Sequence, residues 1–179
     1  MSFTGLLLAG GESLRMGQDK SLMYGGVARL KEVLLRCGAK RVIVLCGEEA
    51  RVDFFKGETW ADPPHCNGVH QVVEWALSQI KGDVMLVPCD AFLFEERACR
   101  AFLETAQRGG VPADLNGRRQ PLFSYIPEFF EPPSSIESMR TLTESLPTLS
   151  MQGFGQCFTN FNRSEEIEEH QHELSQISW

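Results

Sequence analysis

Phe3-Thr4-Gly5-Leu6-Leu7-Leu8-Ala9, followed by Gly10-Gly11, is a short apolar run that stops at two glycines. A run of this length with no polar face reads as a strand covered on both sides, and the glycines mark a tight loop at its carboxyl end. Residues 41–46 (RVIVLC) and 83–87 (DVMLV) have the same character. Helical patterns separate them. Leu30, Val33, Leu34 and Cys37 recur at helical spacing before a stop at Gly38. Asn67 is a candidate cap for a helix reaching Ile80, with Val69, Val72, Val73, Ala76 and Leu77 on one face.

Farther along, residues 94–108 predict a helix with Ala98, Phe102 and Ala106 in line, and residues 120–126 (QPLFSYI) predict a strand. Residues 134–145 read as helical and 156–160 as a last short strand. From Ser164 an acidic helix follows, its glutamates near the end that the helix dipole favours. Buried strands alternating with amphipathic helices imply a mostly parallel sheet covered on both faces, a three-layer α/β/α, Rossmann-like architecture. No internal repeat or low-complexity linker divides it, so residues 1–179 are expected to form one domain. Ligands of such sheets bind outside the carboxyl ends of the strands, so the loops after Ala9, Val87 and Thr159 are the places to look.

Composition narrows the function. The apolar fraction of 42% and charged fraction of 23% are those of a globular protein. No run is long enough to span a membrane, and the first residues lack the basic start of a signal peptide, so a cytoplasmic protein is expected. Of the net charge of −7, five acids sit in residues 164–179, which hold no Lys or Arg. An acidic tail on a near-neutral body argues against nucleic-acid binding, but not against a small phosphorylated ligand. None of the six cysteines forms a CxxC pair, so buried reduced thiols are expected and a zinc site is not. His170 and His172 stand about 200° apart on a helix and read as solvated.

The first loop carries the strongest chemical signal. Leu8-Ala9-Gly10-Gly11-Glu12-Ser13-Leu14-Arg15-Met16-Gly17-Gln18-Asp19-Lys20 follows a buried strand directly. Glycines there let backbone N–H groups approach an anion. Arg15 offers a planar fork to phosphate oxygens and Lys20 a compact charge. Neither GxxxxGK[ST] nor GxGxxG is present.

As a whole the string, L-A-G-G-x-S-x-R-M-G-x-D-K, resembles the signature of the nucleotidyltransferases that make cofactor and sugar nucleotides. Within these it is most similar to the molybdenum cofactor guanylyltransferases. The related cytidylyltransferases more often show Ala-Gly where this chain has Gly10-Gly11. Three downstream segments extend the resemblance in order: Val87-Pro88-Cys89-Asp90, then Gly117-Arg118-Arg119-Gln120-Pro121-Leu122, then Thr159-Asn160-Phe161-Asn162 before Glu165-Glu166.

The resemblance implies a nucleotidyltransferase fold and transfer of GMP from GTP to molybdopterin, with release of pyrophosphate. It implies Arg15, Lys20 and Asp90 as catalytic groups. The nucleotide would meet Leu8, Ala9, Gly10, Gly11, Lys20, Asp62 and Asp90, with Asp62 reading guanine. Asp90 would hold magnesium, Asp19 would orient the loop, and Asn160 and Asn162 would lie on the acceptor side. Molybdoenzyme maturation proteins are the implied partners. Two segments depart from the pattern. Asn67-Gly68-Val69-His70-Gln71 replaces Gly-Pro-Leu-Ala-Gly, and Val27-Ala28-Arg29 replaces Lys-Pro-Leu. Alternatives are a cytidylyl- or sugar-phosphate nucleotidyltransferase of the same fold, or a nucleotide- or cofactor-binding protein that has lost turnover.

Overall fold

The computed structural model describes residues 2–10, 19–161 and 164–177. In chain order the elements are β1 (Phe3–Leu8), α1 (Gly26–Arg36), β2 (Ala39–Leu45), β3 (Glu58–Trp60), α2 (Val69–Gln79) and β4 (Asp83–Pro88). Then follow α3 (Glu96–Thr105), β5 (Val111–Pro112), β6 (Tyr125–Ile126), α4 (Met139–Leu142), β7 (Thr148–Leu149), α5 (Ser164–Glu169) and α6 (Gln171–Ser175). The main sheet runs β3-β2-β1-β4-β6, and β5 with β7 forms a small second sheet. Every neighbour pair of the main sheet is parallel except β4 with β6. The mostly parallel α/β fold expected from the alternating pattern is therefore present.

Strand β1 is the middle of this arrangement. Leu8 pairs with Leu45 of β2 and with Pro88 of β4, so three strands end at one level. The period of two along each strand sorts side chains into two cores. Phe3, Leu7, Val42, Val44, Met85 and Val87 face α1 and α3, where Leu30, Leu34, Ala98 and Phe102 are buried. Leu6, Leu8, Ile43, Leu45, Val84 and Leu86 face the other way, against Val72, Val73 and Ala76 of α2. Gly5 permits the first contact: a Cβ there would stand 2.8 Å from Leu34 Cδ1.

Several segments differ from the sequence pattern, each for a local reason. Residues 156–160 are not a strand; Gly155–Phe158 is a 3-10 turn. That turn lowers Phe158 into a cluster of rings, with centroids 5.7 Å from Phe94, 5.5 Å from Phe102 and 5.5 Å from Phe123. The strand expected over 120–126 shrinks to Tyr125–Ile126, because Pro121 has no N–H for a ladder and opens the 3-10 turn Pro121–Phe123. The helix expected over 94–108 begins only at Glu96, since Phe94 closes a turn onto Ala91 O at 3.1 Å.

Helix α4 is four residues long and capped by Ser138, which accepts from Thr141 N. Asn67 does not cap α2 through its side chain; Gly68 stands at the cap, and Asn67 N donates to Gln71 Oε1 at 2.6 Å. Val69 is exposed rather than part of the buried face. The acidic tail is two short helices. Leu174 of α6 is buried with Phe92 and Phe161, while Ile167 of α5 packs against that cluster. His170 is not simply solvated: its ring meets Phe161 edge-on at 5.4 Å. No helix among the described residues is long and apolar enough to cross a membrane.

Phe158 is fully buried and touches three other rings. Phe158→Ala should lower unfolding free energy by about 3–5 kcal/mol, read from urea denaturation curves with an unchanged slope.

Candidate active site

The carboxyl ends of β1, β2, β3 and β4 deliver Gly10, Gly47, Asp62 and Asp90 to one side of the sheet. Strand order reverses between β1 and β4, and the crevice of a parallel sheet opens at such a point. Gly10 is required by proximity. A Cβ on it would lie 2.9 Å from Gly47 N and 3.4 Å from Asp62 Oδ2. Leu8 and Ala9 lie buried just before it, and Ala9 N donates to Leu45 O at 2.8 Å.

Lys20 and Asp90 meet across this crevice. Lys20 Nζ stands 3.0 Å from Asp90 Oδ2, and both side chains are largely buried. The same ammonium donates to the Phe161 carbonyl. In the amide orientation that satisfies both of its atoms, Asn160 donates to both carboxylate oxygens of Asp90, 2.9 Å from Oδ2. Burial pushes the Asp90 carboxyl up from the ordinary carboxylate range, and the Lys20 charge pulls against it. At an effective dielectric of 20, Coulomb attraction at this separation is about 5 kcal/mol. That is comparable with the several kcal/mol per ion that burial costs. The added donors from Asn160 and the acceptor from Phe161 therefore decide that the pair is tolerated.

Asp19 holds the other side of Lys20. Its Oδ1 accepts from Ser21 N at 3.0 Å and from Ser21 Oγ at 2.6 Å, and its Oδ2 lies 2.8 Å from Arg51 Nη2. Asp19 thus caps the turn Lys20–Gly25 and does not pair with Lys20. Arg51 also reaches Ser21 Oγ at 3.2 Å, and its guanidinium lies 5.7 Å over the Phe55 ring. Reading the sequence did not single out Arg51, because a lone arginine in a polar segment carries no pattern.

Asp62 follows β3, and its N–H donates to Gly47 O at 2.7 Å. Its Oδ1 is buried with no hydrogen-bond partner. Burial raises the Asp62 carboxyl, and the Gly47 backbone N–H partly offsets this. Cys89, beside Asp90, is pushed up to about 12 by burial and by the Asp90 charge, so it is no nucleophile near neutral pH. Gly11, Arg15 and Asn162 lie outside the described residues. Of the remaining sequence-derived candidates, Lys20 and Asn160 each contact Asp90, and Gly10 and Asp62 adjoin one another at Gly47.

The MobA-like NTP transferase domain matches residues 5–165. The chain belongs to this family. No curated protein matches it. Among solved structures this MobA-like chain is similar to molybdopterin-guanine dinucleotide biosynthesis protein A from Archaeoglobus fulgidus, with 13% identity and a TM-score of 0.70 over 98% of this chain and 100% of that one. A protein from Aquifex aeolicus has 16% identity and a TM-score of 0.67 over 90% and 94% of the two chains. A 4-diphosphocytidyl-2C-methyl-D-erythritol synthase from Anaerococcus prevotii has 9% identity and a TM-score of 0.59 over 97% and 98%. These likenesses establish a shared nucleotidyltransferase fold.

The MobA-like site fits a divalent cation that draws most of its ligands from elsewhere. Among the described residues no three His, Cys, Asp or Glu side chains converge as a metal cage. Magnesium asks for less: one or two carboxylates, with phosphate and water completing its shell. Asp90 is a buried carboxylate that already holds a cation, the Lys20 ammonium, at 3.0 Å. A separate cavity of about 700 Å³ lies between α1 and α6, lined by Ala28, Arg29, Glu32, Phe94, Glu173 and Ile177 among others, and includes none of Lys20, Asp62 or Asp90.

Lys20→Met leaves the Asp90 charge buried without its ammonium, and unfolding free energy at pH 7 should fall by about 3 kcal/mol. A carboxyl whose folded pKa lies above its unfolded value binds more protons in the native state, so acid favours folding of this variant. Urea denaturation at falling pH should show the deficit narrowing.

Proposed function

We propose that this protein transfers GMP from GTP to the terminal phosphate of molybdopterin, releasing pyrophosphate, and that residues 1–179 act as one catalytic unit. The observation that carries the guanine reading is Asp62. Its buried Oδ1 has no hydrogen-bond partner and it sits against Gly10. A guanine edge offers an N1–H and an adjacent amine, two donors spaced for one carboxylate. Cytosine and adenine each pair their amine with an acceptor nitrogen, which a carboxylate repels. A site built to receive donors rejects a base lacking them, because the buried acceptor stays unpaired.

The chemistry is in-line displacement: a phosphate oxygen of molybdopterin attacks the α-phosphorus, and pyrophosphate leaves. Positioning and charge neutralisation carry such reactions, with no covalent enzyme intermediate. Lys20 would neutralise phosphate charge, joined by Arg15 from the loop. Asp90 would hold magnesium, which when bound supplies further neutralisation of the phosphates. Asn160 keeps both Asp90 oxygens directed, and with Asn162 it would border the acceptor. Gly10 and Gly11 would admit the nucleotide to the backbone. A cytoplasmic setting and molybdoenzyme maturation partners accompany this reading.

Pyrophosphate release should require GTP, magnesium and molybdopterin, and should vanish in Asp90→Ala. Faster release from CTP would move the protein to cytidylyl transfer, and GTP binding without any release would make it a binding protein. Asp62→Asn should cut the preference for GTP over CTP by roughly 10- to 100-fold, the worth of one charged hydrogen bond. Because the Asp62 carboxyl is raised, that preference should fade on acidification sooner than an ordinary carboxylate would dictate.

A further inference from the structure

Arg29 stands on the first turn of α1, where the residue type is unexpected: α1 is otherwise amphipathic, and this long cation points inward. Its guanidinium donates to four backbone carbonyls. Nε donates to Tyr24 O at 3.2 Å, Nη2 donates to Ala91 O at 2.9 Å and Phe92 O at 3.0 Å, and Nη1 donates to Phe94 O. Burial lowers its pKa to about 10, with Glu95 opposing, so it stays charged at neutral pH.

The four carbonyls belong to two segments. Tyr24 lies in the turn Lys20–Gly25, which begins with Lys20. Ala91, Phe92 and Phe94 follow Asp90 directly. Tyr24 is the non-glycine residue held at positive φ, 48°, among the described residues, and its ring meets Phe92 at 5.0 Å. A residue of this size does not adopt that backbone conformation unaided; its surroundings must hold it.

We propose that Arg29 is a positioning residue for the Lys20–Asp90 pair: one planar cation ties the segment after Lys20 to the segment after Asp90 and so fixes the distance between them. Planarity is essential. Five N–H donors in a rigid fork can satisfy carbonyls from two chain segments at once, whereas an ammonium presents a single point. The cationic charge also suits a cluster of carbonyl oxygens with their negative ends converging.

The kinetic part of the test rests on the nucleotidyl-transfer reading; the structural part does not. In the unaltered protein, side-chain NMR should show the Arg29 Nε proton exchanging far more slowly than that of an exposed arginine. In Arg29→Lys, amide exchange should accelerate at residues 22–25 and 91–94 while the β1 and β4 amides stay protected. The variant's kcat should fall roughly 10- to 100-fold, the effect of a misplacement near 1 Å, with KM for GTP changing far less. Magnesium at half-saturation should rise. Fast Nε exchange in the unaltered protein, or an Arg29→Lys protein matching it in exchange and in kcat, overturns the proposal. If the unaltered protein shows no turnover, the functional reading fails and the exchange measurements alone decide the role of Arg29. If Arg29→Lys does not fold, Nε exchange in the unaltered protein still decides between the two outcomes.

Discussion

Parallel pairing of β1 on both of its edges is the constraint from which the remaining geometry follows. With β2 on one side and β4 on the other, Leu8 levels Leu45 with Pro88, and the residues beyond them have to emerge side by side. Gly10 and Gly47 are neighbours for that reason, and Asp90 follows β4 at the same end of the sheet, though the three are far apart in sequence. A one-residue slip of β1 would exchange Leu7 for Leu8 between the two cores and move the carboxyl ends out of step. The apolar stretch from Leu6 to Ala9 is thus both the core of the sheet and the ruler that sets the crevice.

At the crevice the fold accepts an electrostatic cost. A buried lysine and aspartate are near break-even on their own, so their neighbours decide the outcome. Each member is held through backbone: Lys20 by the Phe161 carbonyl and by a turn that Asp19 caps, Asp90 by its place at the end of β4. Arginines brace both sides. Arg51 bonds to Asp19 and Ser21, and Arg29 spans the two segments from behind. The arrangement keeps two opposite charges in register in a largely buried site, where water screens charge least.

Much of this could be read from the sequence. The strands β1, β2 and β4 are long apolar runs, and α1 and α2 have clear helical periods, so the parallel sheet was legible. Lys20, Asp90 and Asn160 stood in motifs whose order gave their meeting place. What escaped was tertiary in origin. The segment 156–160 has a strand-like composition, yet Phe158 gains more by entering a ring cluster than by joining a ladder. Pro121 withheld a donor and shortened β6. Arg29 stands in a departure from the family pattern and Arg51 in no motif at all, because their partners are carbonyls and a capping aspartate that only folding brings near. The unpartnered Oδ1 of Asp62 is likewise a property of its burial, not of its neighbours in sequence.

The stack of Phe92 on Phe161, 5.3 Å apart, joins the loop after β4 to the chain just ahead of the acidic tail. Lys20 reaches the same Phe161 across 141 positions of sequence. Such long-range closures are the slowest to form, since their entropy is spent before any contact rewards it. On a ribosome, strands β1 to β4 would be in hand well before Phe161 left the exit tunnel. The nascent chain would hold an assembled scaffold with an unfinished pocket, and competence for chemistry would arrive as a late, separate event in its maturation.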